Sequence, residues 1–100
     1  MTDQASITWN CCPNLQEPDL TPYSNFELGA CIECSPGCFE RITLVEGGIT
    51  PDLFSLYGRF KEGGCECLHD WPRGEVALSD IVDACEALAA RTGIAVFDLT

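Results

Sequence analysis

An α+β fold is what this chain predicts: a small antiparallel sheet of about five short strands, with one long C-terminal helix packed on one face. Three observations predict it. Alternation of apolar and polar residues recurs in short segments bounded by Gly and Pro. One segment, Ser79 to Thr92, carries the 3.6-residue period of an amphipathic helix. Finally, 46% apolar residues in a chain of 100 supply one core and leave no room for a second, so residues 1–100 are read as a single acidic domain.

The elements follow in order. Ile7 to Cys12 mixes β-branched and aromatic residues and stops at Pro13, which reads as a first strand. Pro13, Pro18 and Pro22 then make residues 13–24 a loop. From Phe26 to Cys34 the alternation is clean. Phe26, Leu28, Ala30 and Ile32 share one face, and Glu27, Gly29, Cys31 and Glu33 form an acidic outer one. Ser35-Pro36-Gly37 has turn chemistry, with Pro presetting φ and Gly accepting positive φ, so a hairpin leads into Phe39 to Glu46. Ile42 and Leu44 would point inward there, and Gly47-Gly48 ends the strand.

Thr50-Pro51-Asp52 suits a short turn or a single helical turn. Leu53 to Phe60 and Cys65 to Trp71 pair as a second hairpin across Lys61-Glu62-Gly63-Gly64, and Pro72-Arg73-Gly74 ends it. The helix begins with Ser79 as N-cap and Asp80 and Asp83 in its first turn, and it buries the stripe Ile81, Val82, Cys85, Leu88, Ala89 and Thr92. Gly93 sits where a left-handed C-cap belongs, and Ile94 to Phe97 forms a final strand.

Eight cysteines admit three readings. A secreted disulfide framework would have 105 connectivities for four bridges. It is disfavoured because the opening Met1-Thr2-Asp3-Gln4-Ala5 lacks the basic and apolar regions of a secretory signal, which points to the cytoplasm. The expectation is a chain without a cofactor, with zinc the one ion the residues could hold. Cys31-x2-Cys34, with Cys38 past the turn, would join Cys65 and Cys67, and alternation would aim His69 the same way as those two. The third reading is buried thiols serving as small apolar side chains, to which Cys85 belongs.

Catalytic chemistry is not written in the chain. The single histidine, His69, has no marked nucleophile near it in sequence, and neither Gly47-Gly48 nor Gly63-Gly64 opens a helix as a phosphate loop requires. The expectation is a protein that is not an enzyme.

Sixteen Asp and Glu against five Lys and Arg give a formal charge of −11, which disfavours direct contact with nucleic acid or an anionic membrane and favours a basic partner. Between Met1 and Glu40 the acids are Asp3, Glu17, Asp19, Glu27, Glu33 and Glu40, with no Lys or Arg. Of these, Glu17, Asp19, Glu27, Glu33 and Glu40 are the candidate partner-binding residues, and carboxylates held on a rigid sheet can stand in for DNA phosphates in a basic channel. Asp80, Asp83 and Glu86 form a second acidic group on the helix, while Tyr57 and Trp71 are candidate apolar anchors.

In size, acidity, single domain and lack of a catalytic signature, the chain resembles the small inhibitors encoded by phages and mobile elements, among them anti-CRISPR and anti-restriction proteins. The resemblance carries no residue-level motif. It implies blocking of a nuclease or surveillance complex, steric or electrostatic, by a DNA mimic. The other reading from the residues is a small zinc-binding cytosolic adaptor domain.

Overall fold

The computed structural model describes residues 5–42, 50–72, 74 and 76–100. It contains strands β1 (Tyr23–Ser35), β2 (Cys38–Ile42), β3 (Leu53–Phe60) and β4 (Cys65–Pro72), helix α1 (Leu78–Thr92) and strand β5 (Val96–Asp98). The sheet order is β2-β1-β3-β4, antiparallel throughout, and β5 lies parallel to β1. The predicted α+β architecture therefore holds, with one parallel pair added. β2 covers one edge of β1 from Ala30 onward, and β5 takes up Phe26 to Leu28.

One face of the sheet carries the core. Phe26, Leu28 and Ala30 of β1, Leu56 of β3, and Leu68 and Trp71 of β4 meet Ile81, Cys85 and Leu88 of α1 in a single cluster. Burying each large side chain of this kind contributes about 1.5–3 kcal/mol, so the helix stripe read from the sequence is the main tie between helix and sheet. The Trp71 anchor is corrected here, because its ring is buried and its indole N–H donates to the Ala5 carbonyl at 3.1 Å. Gly58 leaves room for the Tyr23 ring, which a Cβ at that position would meet at 2.6 Å.

Both hairpin turns form as predicted, with Gly37, Gly63 and Gly64 at positive φ. Gly93 also caps α1 in the left-handed region, its N–H donating to the Ala89 carbonyl. The start of the helix differs from expectation. The N-cap is Ala77, so Ser79 falls inside the helix and only Asp80 stands in the first turn. Thr50 to Asp52 forms no helical turn, and the Asp52 amide instead donates to the Cys31 carbonyl. Leu44, Gly47-Gly48 and Arg73 lie outside the described residues.

The predicted strand Ile7 to Cys12 is a correction. Trp9 adopts a φ of 60°, and the Cys12 amide donates back to the Trp9 carbonyl, closing a turn in the middle of the segment. A bulky residue rarely accepts that conformation, and here burial of the indole in the core holds it. The apolar and β-branched residues that suggested a strand are present because the segment is packed.

Candidate functional site

β4 is the edge strand of the antiparallel path, and the N-terminal segment satisfies its outward-facing backbone. The Asn10 amide nitrogen donates to the Asp70 carbonyl and its amide oxygen accepts from the Asp70 N–H, both at 2.8 Å. The Cys11 amide donates to the Leu68 carbonyl at 3.2 Å. His69, 4% exposed, accepts the Thr8 and Asn10 amide hydrogens at Nδ1, at 3.2 and 3.4 Å. Burial holds its pKa below the ordinary value, against a smaller upward pull from Asp70.

That attachment brings three donors together on the sheet face turned away from α1. The Cys67 thiol lies 3.2 Å from Cys11 Sγ and 3.1 Å from Asp70 Oδ1, and Cys11 Sγ lies 3.4 Å from Asp70 Oδ2. Ser55, buried on the neighbouring strand, donates from Oγ to Asp70 Oδ1 at 2.5 Å. Burial raises the pKa of both thiols above the ordinary value, and for Cys67 the neighbouring Asp70 and Cys11 push the same way. Without a cation, both sulfurs are therefore held as thiols.

A bulge makes the cluster. β3 and β4 slip register between Leu56 and Tyr57, so Tyr57 faces Cys67, Leu56 faces His69, and Leu68 is the extra residue. Three positions apart on a regular strand, Cys67 and Asp70 would point to opposite faces; the bulge puts them on the same one. It also turns His69 to the core face, where its ring packs edge-on against Trp71 at 4.5 Å. The expectation that Cys65, Cys67 and His69 share a face is thereby corrected.

The predicted zinc ligands Cys31, Cys34, Cys65 and Cys67 are not brought together. Among the described residues the one group with metal-ligand spacing is Cys11, Cys67 and Asp70. β3 lies between β1 and β4, which separates Cys31 from Cys65 and Cys67 by two strand spacings, roughly 9–10 Å. Cys31 is buried against the Tyr57 hydroxyl at 3.3 Å, and Cys34 donates to Glu40 at 3.2 Å on the first hairpin. Cys38 and Cys65 are exposed, Cys85 sits in the core with its pKa pushed up to about 12 by burial, and none of the eight thiols is bridged.

The acidic residues are also divided. Glu27, only 7% exposed, accepts from Arg41 at 2.9 Å and pairs with Arg59 at 3.3 Å, so it is an internal anchor and the acidic outer face is corrected at this position. Gly29 makes room for the Arg41 guanidinium, which lies over the Tyr57 ring at 4.4 Å. Glu17 pairs with Arg91, and Asp19 accepts from the Thr21 amide and hydroxyl. Glu33 and Glu40 remain exposed on the hairpin of β1 and β2. The register pairs Glu33 with Phe39 and Ile32 with Glu40, so the two carboxylates lie on opposite faces of the ribbon.

No protein-family model, curated protein or solved structure matches this chain. No helix among the described residues is long and apolar enough to cross a membrane.

Proposed function

We propose that this chain is a non-enzymatic binding protein that inhibits a basic, nucleic-acid-handling protein or complex by occupying its nucleic-acid site. The observation that carries this reading is the β1–β2 ribbon. Beyond Cys31, the last residue of β1 paired with β3, the ribbon presents Glu33 on one face, beside its cross-strand partner Phe39 at 46% exposure, and Glu40 on the other. Among the described residues neither carboxylate has an ion-pair partner. A two-stranded ribbon with charge on both faces suits a cleft lined by Lys and Arg on both walls, and an exposed aromatic adds the apolar contact on which interfaces concentrate their energy. The reading places the protein in the cytoplasm, in contact with a basic protein or nucleoprotein and not directly with nucleic acid or membrane. Burial of the one histidine, with Nδ1 engaged by two amides, fits a role without catalysis.

The test is displacement of a labelled duplex from a CRISPR surveillance complex or restriction nuclease. The wild-type chain displaces it, less well as salt rises, because exposed charges beyond the ~8 Å Debye length at physiological ionic strength are screened. Glu33→Lys/Glu40→Lys loses about tenfold or more in potency, while Asp83→Lys/Glu86→Lys, with the same change in charge, loses less than about twofold. Absence of displacement, or equal losses without salt dependence, refutes the proposal.

A further inference from the structure

We infer that Cys11, Cys67 and Asp70 form a binding site for one thiophilic divalent cation, zinc above all, on the sheet face turned away from α1. The donor set selects the ion. Two thiolates and a carboxylate suit zinc, whereas magnesium and calcium take oxygen ligands in larger number. The geometry is close to what the ion needs. At Zn–S of about 2.3 Å and Zn–O of about 2.0–2.2 Å, tetrahedral coordination spaces neighbouring donors at roughly 3.4–3.8 Å. Here the two sulfurs lie 3.2 Å apart, Cys67 Sγ lies 3.1 Å from Asp70 Oδ1 and Cys11 Sγ 3.4 Å from Asp70 Oδ2, so binding needs the thiols to part by about half an ångström and the carboxylate to turn one oxygen toward both.

The surroundings hold each donor in place. Asp70 is fixed at its carboxylate by Ser55 Oγ and at its backbone by both ends of the Asn10 side chain. Cys11 follows Asn10 directly, and its amide is tied to the Leu68 carbonyl. Outer contacts of this kind orient ligands before the metal arrives. Cys11 is exposed, so the fourth position faces solvent, where water or a donor from a partner completes the shell. The ion would also fasten the N-terminal segment to β4, two parts of the chain 56 residues apart at the thiols.

Cobalt(II) titration of the full chain, reduced and stripped with chelator, tests the site with zinc as competitor. One cobalt per chain is expected, with thiolate-to-cobalt charge-transfer absorption that zinc abolishes. Cys11→Ser and Cys67→Ser each weaken binding roughly a hundredfold or more, and Ser55→Ala, which removes a contact to a ligand and not a ligand, weakens it about tenfold. Cys34→Ser and Cys38→Ser leave the titration unchanged, as does Glu33→Lys/Glu40→Lys, which separates this site from the acidic ribbon. Circular dichroism of Cys11→Ser, a change at an exposed side chain, shows a folded protein. An absent charge-transfer band in the wild-type chain overturns the assignment. So does an unaltered titration in the Cys11 and Cys67 variants, or a loss in Cys34→Ser equal to theirs.

Discussion

His69 does at residue scale what its type usually does not: it serves as a neutral acceptor that fixes backbone. Its Nδ1 takes the Thr8 and Asn10 amide hydrogens, which requires the proton to be on Nε2. Because burial depresses its folded-state pKa below the ordinary value of about 6.5, the unfolded chain binds the proton more readily. Its contribution to stability is therefore complete above about pH 6.5 and is lost as pH falls from there towards the lower folded-state value. An NMR titration of the single histidine is expected to give a midpoint below about 6.5, and a midpoint at or above that value would show the imidazole exposed. Glu27 is the second residue whose type misleads. A lone carboxylate in an alternating strand reads as surface, yet two arginines from flanking strands cover it. Nothing in Phe26 to Cys34 distinguishes it from Glu33, because its partners come from β2 and β3.

At the scale of elements, periodicity was a reliable guide wherever an element's own pattern decided its place. β3 spans Leu53–Phe60 as read, and α1 buries Ile81, Cys85 and Leu88 of the predicted stripe. Leu88→Ala is expected to cost about 2–4 kcal/mol in a denaturant titration, the usual range for a leucine truncated in a core. A change within the noise of that titration would show that α1 does not pack on the sheet through this stripe. Periodicity failed at Ile7 to Cys12, where the composition of a strand belongs to a turn packed along an edge, and at Cys65 to Trp71, where the bulge at Leu68 exchanges faces halfway. The candidate metal donors depend on both departures. Cys67-x2-Asp70 has no meaning on a regular strand, and Cys11 gains its neighbours through a loop.

For the whole molecule, surplus charge outweighs pairing. Of a formal charge of −11, the three ion pairs among the described residues neutralise only local acids, and Glu17–Arg91, the pair with both partners exposed, contributes roughly 0–1 kcal/mol. Repulsion among the remaining carboxylates dominates, so raising sodium chloride from about 0.01 to about 0.15 M, which shortens the Debye length from ~30 to ~8 Å, is expected to raise the melting temperature. A fall in melting temperature over that range would mean that the ion pairs around Glu27 outweigh the net repulsion. By itself, the sequence determined the α+β class, the helix stripe, both hairpin turns and the acidity, because each depends on residues within a few positions of one another or on composition alone. Only the tertiary structure decided which carboxylates are exposed and which thiols meet. Burial of Glu27 needs two strands beside it, and the Cys11–Cys67–Asp70 cluster needs a bulge and a loop docked across 56 residues, contacts that no local pattern encodes.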